Sequence, residues 1–326
     1  MLSLPEYSIF QTSNWAKVLI DTYNYNPEYL TGYTVLEKIS VLVPFMEISS
    51  FLTGRRGVSL PFSDFCEPVC EENFSEIFTS ILEIARLRKW KSVEFRGGSK
   101  FFEGTEPSSY YYHHVLDLTK GEDEIYSNFS SNNKRNIKKA LKENLKIEIL
   151  NSPDATDKFY SLNCITRKRH GLPPQPAAFF KNIQRYILSE NLGFIVLASH
   201  NDKVVAGAMY FNFGDKALYK FGASDMKYQL IRPNNIIMWE AIKYCINAGY
   251  KYFSFGKTET ENTGLRQFKL GWGTWEERIF TYKYRLAENK FVPNPDQTTG
   301  YHTKIFSKLP LSLLKIVGSL TYKHVG

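Results

Sequence analysis

From Ile195 the chain reads as apolar runs broken by short polar turns. IVLASH, VVAGAMYFNF and ALYKFGAS are rich in β-branched and aromatic residues, and Asn201-Asp202 and Gly214-Asp215 divide them. The pattern predicts three strands joined by tight turns. A helical period follows from Pro233 to about Ala248, with Ile237, Ala241, Tyr244 and Ala248 on one face. Proline suits the first turn, where its missing N–H costs nothing, and Gly249 is the expected stop. KYFSFG then reads as a further strand. After it the chain turns polar, bends at Gly264, and delivers Phe268-Lys269 into Gly271-Trp272-Gly273 as a hairpin.

The same order of elements occurs earlier. VLVPFMEI and VSLPF flank a GRRG turn, FSEIFTSILEIARLRKW carries an apolar stripe at Ile77, Ile81, Ile84 and Leu87, and SVEFRG reads as a strand. Gly54–Asp64 and Gly214–Ser224 lie 160 positions apart, and at the same offset Trp90–Phe95 aligns with Tyr250–Phe255 without a gap. Identity between these stretches is low, and the shared order is the stronger observation. Hairpin strands followed by a helix crossing to another strand define an α+β class, with mixed sheets and flanking helices. The expected division is residues 1–145 for the first domain, 146–285 for the second, and 286–326 for a return segment with an apolar helix. A basic helix from about Glu122 to Asn144 closes the first domain as a linker.

The chain has 326 residues, 43% of them hydrophobic, which suffices for two cores. Its net charge of +8 favours anionic partners, though a solvated basic face is the ordinary alternative. Four scattered cysteines make no disulfide framework. Cys66 and Cys70 lack the further ligands of a metal site, so no metal is expected. The start, MLSLPEYSIF, has neither the charged nor the apolar region of a secretory leader, and no run spans a bilayer. A cytoplasmic protein is expected. G-x-S-x-G, H-E-x-x-H and P-loop patterns are absent, which speaks against a nucleophilic or metal hydrolase.

Gln11-Thr12-Ser13-Asn14-Trp15, the KRNIKKA run from Lys134, Ala223-Ser224 after a tyrosine-rich strand, and GLRQFKLGWG occur in this order. Together they resemble the FemAB-type transferases over roughly residues 5 to 285. The resemblance implies twin GNAT-like domains forming a cleft. It also implies transfer of an aminoacyl or acyl group to an amine on a cell-envelope precursor, of peptidoglycan or polysaccharide type. Aminoacyl-tRNA is then the preferred donor, with acyl-CoA the rival, and no bound cofactor is required. A Q/R-x-x-G-x-G/A loop would hold the CoA pyrophosphate at a helix N-terminus. YQLIRPNNII has no glycine where that loop belongs, and EPVCEENFSE in the first half fails likewise. Two other readings stand beside this one: an acyl-CoA-dependent N-acyltransferase on amino sugars of exported polysaccharide, and a non-catalytic binding or scaffold member.

The resemblance assigns Lys269 a functional part in the F-K-x-x-[FW]-[GN] motif. Phe268 and Trp272 would pack beneath while the lysine projects, to hold a diphosphate or the oxyanion of the attacked ester. From spacing alone, a surface lysine is the better reading. In Thr166-Arg167-Lys168-Arg169, Arg169 and then Arg167 would grip an acceptor diphosphate, with Thr166 in support. A charged helix end is the equal alternative. Tyr219 matches an acceptor-side tyrosine, although strand tyrosines more often simply pack. Gln11 and Trp15 match an N-terminal pattern that fixes the first helix, and Lys17, following on that helix, would line the cleft and bind substrate. Lys134, Arg135, Lys138 and Lys139 would contact tRNA, or form a solvated face. At the end of the chain, Leu313, Leu314, Ile316, Val317 and Leu320 alternate with Lys308, Lys315 and Lys323. This segment, residues 308–323, either docks on the first domain, which ranks first, or seats the protein peripherally on the inner face of a membrane carrying a lipid-linked acceptor.

Overall fold

The computed structural model describes residues 7–51, 53–70, 74–293 and 301–325. The reading of the N-terminus falls partly on residues 1–6, and that of EPVCEENFSE partly on residues 71–73, both outside the described residues. So do residues 294–300 of the return segment. The chain forms two compact units. One comprises Met1–Tyr111, Arg278–Thr298 and Leu320–Gly326; the other comprises Tyr112–Glu277 and Thr299–Ser319.

In the first unit α1 (Ser13–Tyr23) leads into β1 (Asn26–Tyr33), β2 (Ile39–Ser50), β3 (Gly54–Val58), β4 (Val69–Cys70), α2 (Phe74–Leu87) and β5 (Ser92–Arg96). Then β6 (Ser109–Asp117) carries the chain into the second unit. There follow α3 (Glu122–Asn128), α4 (Ser131–Ala140), β7 (Lys146–Leu150), α5 (Pro153–Arg169) and α6 (Ala177–Ile183). Next come β8 (Gly193–His200), β9 (Lys203–Phe213), β10 (Lys216–Ser224), α7 (Pro233–Asn247), β11 (Tyr252–Thr258) and α8 (Thr263–Leu270). The chain returns along β12 (Trp275–Arg285) to β13 (Lys290–Val292), and ends in α9 (Tyr301–Phe306) and α10 (Leu311–Thr321).

The strand order in the first unit is β1-β2-β3-β5-β12, with β4 on β2 and β13 on β12. In the second it is β6-β11-β10-β9-β8-β7. Among the described residues each unit holds one parallel pair, crossed by a helix. Gly57 pairs with Val93 and Val58 with Glu94; Ala217 pairs with Phe253 and Leu218 with Ser254. Adding 160 to each position of the first set gives the second. The internal match in the sequence is therefore a match in sheet register, and two α+β units share it.

Local chemistry follows the patterning. Asn201 and Asp202 both adopt positive φ, as a two-residue hairpin turn requires. Gly249 ends α7 at φ 80°. The stripe of α2 holds at Ile81, which is buried, and at Ile77 and Ile84 on the core edge. Leu87, the last helical residue, is 81% exposed, because the helix ends before its face returns to the core.

Three expectations need correction. The linker helix is two helices, α3 and α4, and they belong to the second unit, whose first residue is Tyr112 rather than residue 146. Ile125, Phe129, Ile137 and Ala140 enter the core beneath α7, and apolar burial outweighs the polar composition. The hairpin expected around Gly264 is the helix α8, capped by the Asn262 side chain on Leu265 N–H. The apolar C-terminal helix docks on the second unit rather than the first. Leu314 is fully buried, and Gly318 lies so close to Pro174 O that a Cβ would stand 2.0 Å from it. Only the tail after it joins the first unit, where Tyr25 and Arg56 donate to the carbonyls of Tyr322 and His324. Among the described residues no helix is long and apolar enough to cross a membrane.

The β3–β5 contact is tight. A Cβ on Gly57 would lie 2.0 Å from the Trp90 ring, which is buried and donates through Nε1 to Glu47 Oε2 at 2.7 Å. Gly57→Ala should therefore destabilise the chain by ~1–3 kcal/mol in chemical denaturation. Gly264→Ala, in a helix with open space around it, should show no loss.

Candidate functional site

The parallel pair of the second unit opens into a fork. Strands β10 and β11 pair only from Lys216–Tyr252 to Leu218–Ser254. Beyond that point β10 continues along β9 to Ser224, while β11 continues along β6 to Thr258. Each strand carries a register shift there, between Tyr219 and Phe221 on β10 and between Ser254 and Lys257 on β11. Bulges re-aim strands at such places and free backbone groups from the ladder. Gly256 supplies the positive φ, 68°, that the β11 bulge needs.

Lys269 serves this bulge. Its side chain is buried, and Nζ donates to Gly256 O at 2.9 Å and to Lys257 O at 3.1 Å. The lysine does not project from a hairpin. It sits in the last turn of α8, and the motif around it explains why. Trp272 is fully buried, edge-on to Phe129 and Phe268 at 5.0 and 5.9 Å between ring centroids. Gly271 lets the end of α8 approach the start of α4, where its carbonyl accepts from Ser130 N–H. The aromatic and glycine residues lock α8 against the core, and the lysine is turned inward to the sheet.

On the same side of β6 as α8, His114 is fully buried and bonds through Nε2 to Glu276 Oε2 at 2.9 Å. Glu276 in turn receives two bonds from Arg266, at 2.6 and 2.7 Å, and that guanidinium stacks 3.8 Å over Tyr112. Burial pushes the His114 imidazole down to about 4, the nearby Lys269 charge acts in the same direction, and Glu276 opposes both. The Arg266 hydrogen bond holds Glu276 below the ordinary carboxylate range.

The opposite face of β6 carries a second chain of contacts. His113 is buried; its Nδ1 lies 2.7 Å from Glu277 Oε1 and its Nε2 lies 2.7 Å from Ser254 Oγ. Ser254 Oγ also accepts Gly256 N–H at 3.1 Å. The His113 hydrogen bond holds the Glu277 carboxyl below its usual range. His113 on β6 lies far in sequence from Ser254 on β11 and Glu277 on β12, and no motif in the sequence joins the three. The one local signal was a histidine doublet inside an apolar strand, YYYHHV, where alternation puts the two rings on opposite faces.

The basic cluster on α5 lies at the end of β10. Thr166 is buried and bonds both to Ser224 N–H, at 2.9 Å, and to Ser224 O, at 3.2 Å. Arg169 is exposed; its guanidinium reaches Ser224 O at 3.5 Å and His170 Nε2 at 3.0 Å. Arg167 donates to Pro173 O at 3.3 Å and so ties down the loop after the helix. Ser224 Oγ accepts from Asn234 in the first turn of α7. Arg232 caps that helix in the left-handed region, at φ 58°. Thr166 and Arg169 thus meet at the outer end of the fork. Tyr219 lies at the β10 bulge, packed 5.6 Å from the Tyr210 ring, and burial pushes its hydroxyl up to about 12.

The remaining residues fall on α1 of the first unit and α4 of the second. Lys17 is exposed on α1 in the first unit, while Gln11 and Trp15 are buried there. On α4, Lys138 and Lys139 are exposed, Lys134 donates to Ser127 O, and Arg135 donates to Asn132.

A family model described as acetyltransferase (GNAT) domain matches residues 127–275. The chain is 22% identical over 242 residues to the lipid II:glycine glycyltransferase of Staphylococcus epidermidis, covering 53% of this chain and 58% of that one. It is 23% identical over 151 residues to the UDP-N-acetylmuramoylpentapeptide-lysine N(6)-alanyltransferase of Weissella viridescens, covering 46% and 44%. The chain therefore spans about half the length of these curated relatives. In fold it is similar to the crystal structure of FemX, with a TM-score of 0.70 at 15% identity, over 86% of this chain and 93% of that one.

His114 makes stability depend on pH. Its folded pKa is below its unfolded value, so its contribution is complete above about pH 6.5 and is lost as pH falls toward 4. About 1–3 kcal/mol should disappear across that window, and His114→Asn should flatten the dependence in urea melts at pH 7 and pH 4.5. Lys269→Met removes the donor to two carbonyls and should cost ~1–3 kcal/mol. It should also raise the His114 titration midpoint in NMR, because the depressing charge is gone.

Proposed function

We propose that this chain, which belongs with the FemAB-like transferases of tandem GNAT-like fold, transfers an aminoacyl group to an amine on a diphosphate-linked peptidoglycan-type precursor. The observation that carries the reading is the fork of the second unit. It opens between parallel strands, beside a buried ammonium at one bulge and beside Thr166 and Arg169 at its outer end. Such transfer requires two aligned substrates and stabilisation of developing negative charge. Lys269 supplies positive charge next to the fork while holding its backbone, and Arg169 is the exposed cation suited to an acceptor diphosphate. Arg167 and Thr166 position the helix end that presents it. Tyr219 shapes the fork floor. The names of the two curated relatives, one acting on lipid II and one on a UDP-linked muramoylpentapeptide, support this acceptor class.

For the donor we favour aminoacyl-tRNA. The segment before α7 carries Arg232-Pro233 rather than a glycine loop, and α4 presents Lys138 and Lys139 outward. Acyl-CoA is the second reading, supported by the GNAT family match. Leu313, Ile316 and Leu320 on α10 stay exposed beside Lys308 and Lys323, which suits peripheral contact with a membrane bearing a lipid-linked acceptor. The place of action we propose is the cytoplasmic side of that membrane.

The donor is tested by filter binding of aminoacyl-tRNA across a salt series, beside calorimetry with acetyl-CoA. The expected result is salt-sensitive tRNA binding without CoA heat. In Lys138→Glu/Lys139→Glu the slope of log affinity against log salt should fall by roughly 0.7–0.9 for each lost phosphate contact. CoA binding without tRNA binding overturns the donor assignment.

A further inference from the structure

The transfer needs somewhere for a proton to go. An amine that attacks an ester carbonyl becomes cationic as the C–N bond forms, and it must lose a proton before the C–O bond to the donor breaks. Neither Lys269 nor Arg169 accepts a proton in its charged form.

We propose that Ser254, His113 and Glu277 form the proton relay of this site. This rests on the transferase reading above and extends it to the groups that move the proton.

The direction of each hydrogen bond follows from its neighbours. Glu277 can only accept when ionised, so His113 carries its proton on Nδ1 and points it at Glu277 Oε1. The lone pair of the neutral ring is then at Nε2. Gly256 N–H donates to Ser254 Oγ, so the serine hydroxyl directs its own proton to His113 Nε2. The chain Gly256 N–H to Ser254, Ser254 to His113 and His113 to Glu277 runs one way, with both side-chain links at 2.7 Å.

Its position matches the task. Ser254 is the last residue of β11 paired with β10, and the strands part immediately beyond it. Phe253 and Phe255 point into the core under α7, so alternation turns Ser254 to the other face, where it is partly exposed. Two residues on, the Gly256 carbonyl takes the Lys269 ammonium. The serine hydroxyl and the buried positive charge thus flank one backbone bulge. At the far end the Glu277 side chain is 53% exposed, so the relay runs from the fork to solvent through a buried imidazole.

The step balances without any other reagent. The amine nitrogen bonds to the carbonyl carbon, its proton passes to Ser254 Oγ, and the serine proton passes to His113 Nε2. The imidazolium is stabilised by ionised Glu277. When the C–O bond breaks, the proton returns through Ser254 to the departing donor oxygen, leaving an amide, a free hydroxyl and neutral His113.

Two measurements test the relay on the full-length chain. The first, ¹⁵N-histidine NMR, needs no substrate: His113 should be the Nδ1–H tautomer at neutral pH, and Glu277→Gln should weaken that preference. An Nε2–H tautomer overturns the relay. The second is transfer kinetics with aminoacyl-tRNA and a UDP-linked muramoyl pentapeptide. Ser254→Ala, which changes little volume, should lower kcat by about 10²–10⁴-fold with acceptor KM nearly unchanged. His113→Gln should do the same. Glu277 faces His113 from β12, Lys257 is its register partner on β11, and His114 lies on the other face. Ser254→Ala at wild-type kcat overturns the relay while sparing the function. A wild type with no transfer, but with the Nδ1–H tautomer, overturns the transferase reading and the relay's part in it.

Discussion

In the second unit a buried ammonium braces the bulge of β11. Lys269 reaches from the last turn of α8 to two carbonyls of β11, at the place where that strand leaves its partner. Burying a charge is costly unless it is hydrogen-bonded, and a bulged strand needs donors for carbonyls displaced from the ladder. The two costs offset each other. Gly271-Trp272-Gly273 makes the contact possible by fixing the helix end against α4, and Trp272 fills the space between Phe129, Phe255 and Phe268. The lysine therefore joins packing, sheet geometry and electrostatics in one place.

That charge also orders the groups around it. His114 stays neutral in its company, and Glu276 stays ionised between His114 and Arg266. On the opposite face of β6 the adjacent histidine has a different partner set, with a hydroxyl at one nitrogen and a carboxylate at the other. Two neighbouring residues of one type thus differ in electrostatic environment because strand alternation sends them to different faces. One histidine meets a carboxylate that Arg266 also binds; the other bridges a hydroxyl and a carboxylate.

The duplicated architecture opens the parallel pair of one unit into a fork and bridges that of its counterpart. Both contain the same parallel pair in the same register, yet Val58 and Glu94 occupy the positions of Leu218 and Ser254. In the first unit the glutamate side chain pairs with Arg96, and the Glu94 carbonyl takes Ser59 N–H, so the strands are bridged where the second unit forks. The fold repeats; the chemistry at the end of the paired segment does not.

The sequence by itself determined the strands, the turn residues, the α7 stop and the 160-residue repeat, because these rest on local periodicity and on backbone preferences of a few residues. It also carried the ordered motifs by which the family resemblance entered. It misplaced the domain boundary, because a basic helix reads as a linker until its Ile137 and Ala140 are seen in a core. It drew Lys269 outward, because nothing local marks a lysine whose acceptors are carbonyls more than ten residues away. It was silent on His113, Ser254 and Glu277, the last two of which lie 141 and 164 positions from the histidine along the chain. Only the sheet order, with β6 beside β11 and the chain returning along β12, brings those three side chains within hydrogen-bond distance, and sheet order is set by long-range pairing that no local pattern encodes.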